Sequence, residues 1–278
     1  MLILSCPSKL QMLEGILKKC LPQVLGVHGT VMNINRGNPL GHEVIVDSWP
    51  NFKAVLTRPH RKVASDDSNC HVNTYAAFYH DLDAYRTLAL DTDAINWAQS
   101  LQIQGNQQGI LQVSQEAVSI KNAPLSPIPY ITYLHPDPNK MPEYRLDPGF
   151  TVSTLNASHV DLVNETWAYG GNEQSRRYIA SLVQAFFSFC VLDHNGQLIS
   201  WNMMDHAGTI GIAYTLPSHR GKHYLAVIGR ALSIKAHSAG YPVYGHVALS
   251  NVHMQRIQER RGYQKLSDLC HYCIHGEI

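Results

Sequence analysis

The stretch that decides the fold of the second half of this chain is "YTLPSHRGKHYLAVIGRALS", residues 214–233. Its apolar, β-branched beginning ends at Pro217, and its second part places apolar residues at helical spacing. Between these parts lie Arg220, Gly221 and Lys222. Because free N–H groups at a helix start attract anions, a basic turn between a strand and a helix predicts a phosphate site. The residues that we expect to line it are Leu216, Arg220, Gly221, Lys222, His223, Tyr224, Leu225 and Ala226.

The composition places the chain among globular proteins. Its 278 residues are 45% hydrophobic and carry a formal net charge of +1, which supports a sizeable core and argues against disorder. Nucleic-acid binders show a strong basic excess, so we expect no nucleic-acid partner. The sequence contains no run of the roughly 18 apolar residues that a membrane-spanning helix needs.

The cysteines and the N-terminus bear on the compartment. Six cysteines are too few for a disulfide scaffold, and we interpret them as free thiols in a reducing environment. The opening "MLILSCPSKLQMLEGILKKC" has no basic segment before its short apolar run, which makes it a poor secretory signal. It is not rich in Arg and Ser, as a transit peptide would be. The residues alone therefore leave the location open.

A proline-rich segment divides the chain. Residues 122–149 hold seven of the fourteen prolines, which argues against one long helix or a central strand there. We interpret the segment as a connector between two domains, 1–145 and 146–278. The first half begins with a helix, on which Leu10, Leu13 and Leu17 share one face. We expect strands at "GTVMNINRG", "EVIVDSW" and "FKAVLTR", and helices near 81–90 and 107–120.

The second half has a clearer order of elements. Helices are predicted at "HVDLVNETW", "NEQSRRYIASLVQAFF", from the basic turn to about Ala239, and at "NVHMQRIQERRGY". Strands are predicted at "SFCVLD", "QLISWNMMD", "TIGIAYTL", "GYPVYGHVAL" and "LCHYCIH". Antiparallel strands followed by alternating helices and strands indicate a mixed α/β sheet with helices on its faces.

This order and the basic turn resemble the GNAT superfamily of acyl-CoA-dependent N-acyltransferases, whose R/Q-x-x-G-x-G/A loop holds the pyrophosphate of coenzyme A. Arg220 fills the first position of that loop, whereas His223 and Leu225 occupy the positions of its small residues. Asn251 and "GY" at 262–263 match the spacing N-x₁₀-G-[FY], which closes the acyl-CoA site in that superfamily. Asn251 also suits a helix N-cap, and both roles stay open.

The resemblance narrows to the glycine N-acyltransferase family through "INRGNP", "VDSWPNFKAVLTRP", "YGGNEQSRRYI", "ISWNMMD", "YTLP" and "GYPVYGHV". It implies tandem GNAT-like halves, of which the second is the active one, and transfer of an acyl group from a coenzyme A thioester to the amine of glycine or a similar small amino acid. Acyl-CoA would be the co-substrate, with no permanently bound cofactor. The resemblance also implies a mitochondrial location, with the cytoplasm as the alternative. We expect a monomer.

The chemistry of the reaction sets the candidate catalytic residues. An attacking amine must lose a proton to a general base. The family often places a glutamate before the phosphate loop, where this chain has Thr209, and a tyrosine seven residues after the asparagine, where it has Gln258. The candidate bases are Asp205, His206 and His246. We rank His246 first, because it flanks the thioester and an imidazole pKa near 6.5 suits physiological pH.

Three alternatives stay open at this point. The changes at Thr209, His223 and Gln258 favour a family member that binds acyl-CoA but turns over weakly or not at all. Arg176 and Arg177 either bind a substrate carboxylate or form a charged helix face. The sixteen histidines and "CHYCIH", residues 270–275, suggest a metal protein. On a strand, however, residues three apart point to opposite faces, so we expect no metal site there.

Overall fold

The structure is a computed structural model that describes residues 1–62 and 66–276. In chain order, its strands and helices are β1 (Leu2–Leu4), α1 (Pro7–Lys18), α2 (Leu25–Asn35), β2 (His42–Val46), β3 (Ala54–Pro59), β4 (Thr74–Tyr79), α3 (Leu82–Leu90), β5 (Leu101–Gly105), α4 (Gln108–Lys121), β6 (Leu125–His135), β7 (Thr151–Ser153), α5 (Val160–Thr166), α6 (Glu173–Ala185), β8 (Ser188–Leu192), β9 (Leu198–Met204), β10 (Ile210–Thr215), α7 (Tyr224–Ser238), β11 (Val243–Ala248), α8 (Val252–Arg260) and β12 (Gln264–His275). Short 3₁₀ turns occupy Pro138–Lys140, Ala157–His159 and Pro217–His219.

The chain divides into two compact units, and the first contains residues 1–132, 248–250 and those from 266 onward. Its sheet has the strand order β1-β2-β3-β4-β5-β12-β6. Strand β4 runs parallel to β5, and β12 runs antiparallel to β5, with Cys273 opposite Ile103. The last strand of the chain therefore completes the sheet of the first unit.

Helices cover both faces of this sheet. Val44 and Val46 face the core that α1 and α2 close, whereas Ile45 faces the core under α3 and α4. A strand that is buried on both faces has a continuous run of apolar residues in its sequence, which is the pattern of "EVIVDSW".

One strand prediction for this unit is wrong. "GTVMNINRG" was predicted to be a strand, but its residues belong mainly to α2. Residues 27–33 of that helix are all buried, so no polar face marks the helical period. A short apolar run of this kind does not distinguish a buried strand from a buried helix.

The prediction that the proline-rich segment holds no central strand is also wrong. Strand β6 lies in that segment and has a neighbour on each side in the strand order. Its prolines, Pro127 and Pro129, fall in the first part of the strand, whose residues are exposed or half-buried, whereas 130–133 are buried and free of proline. Proline is tolerated where no ladder hydrogen bond is needed from its nitrogen.

The second unit contains residues 133–247 and 251–265. Its antiparallel sheet has the order β10-β9-β8-β7. Strand β11 is not part of this sheet; it comes after β6 in the strand order given above. A small core beneath the start of α7 joins Val191, Ile199, Tyr224 and Ile228. The helices and strands predicted for the second half are all present, and the predicted mixed α/β fold is confirmed.

The division into two domains at 1–145 and 146–278 stays a prediction. None of the helices in the described part of the chain is both long and apolar enough to cross a bilayer.

Candidate active site

Two neighbouring strands of the second unit part from each other. Strands β10 and β11 belong to different sheets among the described strands. They come close at Gly245, where a Cβ atom would lie 2.7 Å from the carbonyl oxygen of Ile210. Only glycine allows this approach. Further along β10, the register with β9 shifts between Gly211 and Tyr214, and Ile212 has a φ of +50°. This bulge turns the backbone of β10 out of its ladder.

The turn after β10 presents a row of backbone amides. Within the described chain, the amides of residues 221–225 donate no hydrogen bond, whereas Ala226 N–H donates to the His223 carbonyl over 2.9 Å. Gly221 has a φ of +81° and His223 a φ of +60°. These left-handed conformations, together with the start of α7, direct consecutive N–H groups outward, as in known anion-binding nests.

The cations of the turn lie at its edges. Arg220 is exposed; its Nε donates to the Thr215 carbonyl over 3.1 Å, and its guanidinium lies 5.3 Å from the centre of the Tyr214 ring. Lys222 Nζ lies 3.9 Å from Asp147 Oδ2, and both side chains are about half exposed. Exposed pairs of this kind contribute at most about 1 kcal/mol. Lys222 can therefore exchange this partner for a phosphate at little cost.

The segment 141–150 borders the turn, and residues 141–149 of it belong to the predicted connector. Asp147 accepts a 2.7 Å hydrogen bond from the hydroxyl of buried Tyr224, and burial with this contact raises the pKa of Tyr224 to about 12. Glu143 pairs with Arg230 over 2.7 Å. The ring of Tyr144 stacks on His223 with 4.4 Å between centroids. The one sequence signal was the turn-forming "DPG" at 147–149.

His223 adopts the conformation that explains why small residues are usual at its position. As the residue before α7, it is left-handed, which favours glycine. A non-glycine residue there costs of order 1–3 kcal/mol and persists where neighbouring contacts hold it.

The candidate base Asp205 holds a tight turn. Its Oδ1 accepts from the amides of Ala207 and Thr209, both over 2.9 Å. Desolvation raises the pKa of its carboxyl, although part of the residue reaches the surface. His206 is buried beside it, and desolvation lowers its pKa against the opposing effect of Asp205. Asp205 therefore has a structural task at this turn.

The third candidate, His246, lies on β11 in contact with the same turn through Tyr244. The Tyr244 hydroxyl donates to the Ala207 carbonyl over 2.8 Å and accepts from Thr209 Oγ1 over 3.3 Å. The His246 ring meets the Tyr244 ring edge-on, with 5.6 Å between centroids. The expected pKa near 6.5 is wrong for this residue, because desolvation lowers it to about 4. His246 is thus neutral at physiological pH.

The Asn…Gly-Tyr spacing has a local structural explanation. Asn251 Oδ1 accepts from Met254 N–H over 3.1 Å and caps the start of α8. At the other end, Gly262 has a φ of +90°, and Tyr263 N–H donates to the Gln258 carbonyl over 3.1 Å. This is a Schellman motif, which requires glycine after the helix. Gln258 Oε1 is buried and has no hydrogen-bond partner within the described residues.

The candidate carboxylate-binding arginines and the candidate metal-binding cysteines have other roles in the structure. Arg176 pairs with Asp161 over 2.6 Å, and Arg177 pairs with Glu173 over 3.2 Å, which matches a charged helix face. Cys270 and Cys273 lie on β12, as predicted, and both are free and buried. Across residues 1–62 and 66–276, no group of three His, Cys, Asp or Glu side chains converges as a metal set.

Solved structures with this fold define its class. The crystal structure of a Drosophila protein superposes with a TM-score of 0.81 at 16% identity, and covers 99% of this chain and 97% of its own. A GCN5-related N-acetyltransferase from Sphaerobacter thermophilus superposes with a TM-score of 0.51 at 12% identity, covering 88% and 85% of the two chains. The fold is therefore that of the GNAT class.

Sequence comparison then identifies the family. The family described as aralkyl acyl-CoA:amino acid N-acyltransferase matches residues 1–187, and its C-terminal region matches residues 189–272. The chain belongs to this family and is an acyl-CoA-dependent N-acyltransferase. It is 36% identical to bovine glycine N-phenylacetyltransferase over 272 residues, which are 90% of this chain and 91% of that protein. It is 34% identical to bovine glycine N-acyltransferase over 279 residues, or 93% and 94% of the two chains.

Proposed function

We propose that this enzyme transfers an acyl group from a coenzyme A thioester to the amine of glycine or a similar small amino acid. The observation that carries the proposal is the row of five amides at 221–225 that donate no hydrogen bond within the described chain, at a turn that also carries the cations Arg220 and Lys222. The pyrophosphate of coenzyme A is a dianion that matches such a row. The names of the bovine relatives support glycine as the acceptor.

The parted strands supply a place for the thioester. With the pyrophosphate on the turn, we place the pantetheine arm along β10, toward the bulge at Ile212. A thioester carbonyl there would lie between β10 and β11. A backbone N–H released from the β9 ladder by the bulge is the donor that we assign to the oxyanion of the tetrahedral intermediate.

The proton acceptor that we favour is His246. The amine nitrogen attacks the carbonyl carbon, the C–S bond breaks, and the proton lost by nitrogen passes by way of the base to the sulfur. Asp205 and His206 are the other candidates, but the turn at 205–209 already uses the Asp205 carboxylate. Because desolvation holds the pKa of His246 at about 4, it deprotonates an ammonium poorly. Turnover should therefore rise with pH as more of the acceptor is free amine.

The test is thiol release with a panel of acyl-CoAs and amino acids, combined with direct measurement of coenzyme A binding. Arg220→Ala should weaken binding by about 5- to 150-fold, since a charge-assisted hydrogen bond contributes about 1–3 kcal/mol. Arg177→Ala is the matched control, because this arginine pairs with Glu173 on the surface of α6. Binding without release for any pair of substrates, or unchanged affinity in Arg220→Ala, would contradict the proposal.

Two further proposals concern the location and the oligomeric state of the protein, and the first rests on the resemblance to the family. We propose a mitochondrial location, to be tested by fractionation of cells that express the tagged full-length chain. Recovery in the cytosol alone would contradict it. We also propose a monomer, for which light scattering during gel filtration should give the mass of one chain, 31.1 kDa.

A further inference from the structure

Tyr144 is the most exposed of the Phe, Tyr and Trp side chains that the structure describes. Among the Phe, Tyr and Trp residues that the structure describes, Tyr144 alone is exposed, with 40% of its surface accessible. The others are buried or half-buried, as the hydrophobic effect favours. The core does not account for the position of the Tyr144 ring.

The exposed ring lies against the phosphate turn. Tyr144 stacks on His223 almost in parallel, with 4.4 Å between centroids and 10° between planes. His223 is itself exposed and sits in the middle of the five amides at 221–225. The two rings therefore form a flat aromatic pair, the Tyr144–His223 pair, at the edge of the candidate pyrophosphate site.

Contacts on both sides of Tyr144 fix its backbone. Glu143 pairs with Arg230 of α7 over 2.7 Å, and Arg230 Nε also donates to the Met141 carbonyl over 3.3 Å. On the other side, Asp147 accepts the 2.7 Å hydrogen bond from Tyr224. An aromatic ring held in this way binds a flat ligand with little loss of side-chain entropy.

We infer that the Tyr144–His223 pair is the stacking surface for the adenine base of coenzyme A. The inference rests on the proposed function, because it takes the pyrophosphate to lie on the amides of 221–225. In coenzyme A only the ribose separates adenine from that pyrophosphate, so the base lies within reach of His223. Stacking of a base on an aromatic side chain is a general mode of nucleotide recognition.

A purely structural role for the pair predicts a different result. If Tyr144 only held His223 in its left-handed conformation, its loss would disturb the amide row and weaken every phosphate ligand. If the pair stacks adenine, its loss weakens only ligands that carry the base. The two roles are therefore separated by comparing coenzyme A with 4′-phosphopantetheine, which has the arm and a phosphate but no adenosine.

The experiment measures both ligands with the full-length wild type, Tyr144→Ala and Tyr144→Phe. We expect Tyr144→Ala to weaken coenzyme A binding by about 5- to 100-fold and to leave phosphopantetheine binding unchanged. Tyr144→Phe, which keeps the ring, should bind coenzyme A as the wild type does. Etheno-coenzyme A, whose base is fluorescent, should be quenched on binding to the wild type and to Tyr144→Phe, and less by Tyr144→Ala.

Two outcomes would overturn the inference. Equal weakening of both ligands would show that the pair only shapes the turn, and unchanged affinity for coenzyme A would show that the base lies elsewhere. Both results leave the proposed function intact, since the wild type still binds coenzyme A. A wild type that binds no coenzyme A would instead contradict the proposed function as well.

Discussion

The buried imidazole of His28 should make the protein sensitive to acid. His28 lies in α2 with 2% of its surface exposed, and neither ring nitrogen has a hydrogen-bond partner among the described residues. Desolvation lowers its pKa from 6.5 to about 4. Because the unfolded state then binds the proton more tightly, the contribution of neutral His28 is fully present above pH 6.5 and is lost as the pH falls toward 4. At 1.36 kcal/mol per pH unit, that loss amounts to about 3 kcal/mol.

The test is His28→Leu, which keeps a similar volume and removes both polar nitrogens. At pH 7 the variant should be more stable by about 1–3 kcal/mol, since no unpartnered polar group is buried. Its advantage over the wild type should grow by about 3 kcal/mol between pH 6.5 and pH 4.

Urea unfolding followed by circular dichroism at several pH values gives the difference in free energy of unfolding between the variant and the wild type. The contributions of the other histidines cancel in this difference, because both proteins contain them. His253→Leu, at an exposed position of α8, should leave the pH dependence as it is. Parallel pH curves for the wild type and His28→Leu would refute the reasoning.

Two further predictions concern the second unit. Thr209→Glu should raise kcat, because it supplies the carboxylate base whose absence limits turnover. The control Thr209→Gln has a side chain of the same length without a basic oxygen and should leave kcat unchanged. Equal rates of thiol release for the two variants would contradict this prediction. Gly245→Ala should lower the free energy of unfolding by about 1–3 kcal/mol, because its Cβ would lie 2.7 Å from the backbone carbonyl oxygen of Ile210. The control Gly15→Ala, in an open position of α1, should instead stabilise by up to about 1 kcal/mol; a similar change in both variants would refute the packing argument.

The fold of the second half could be predicted because its patterns are local. Strand β8 and the hairpin to β9 follow from apolar runs around "HNG", and α7 begins directly after the basic turn. In the first half, the error at α2 arose because a helix buried all round has no polar face to show its period. The error at β6 arose because prolines were counted over the segment, whereas only their positions relative to the buried pairing residues matter.

The basic turn of the site could be predicted from the sequence, but the residues that reach it from other parts of the chain could not. Arg220, Gly221 and Lys222 are consecutive in sequence, so their association with a helix start needed no tertiary information. Asp147 and Tyr144 reach that turn from more than seventy residues away, and nothing local marks them as part of it. The pKa of His246 depends on desolvation by residues packed around β11, which a reference value for an isolated imidazole does not contain.

The return of β12 to the first unit places β1 and β12 in one sheet. A chain shortened before residue 266 would leave the β12 side of β5 unpaired from Leu101 to Gly105, and an open sheet edge invites pairing with other molecules. Separate expression of the first half should accordingly yield insoluble material. Because the chain passes back and forth between the units, a protease that nicks one crossing should leave the fragments held together until denaturant is added.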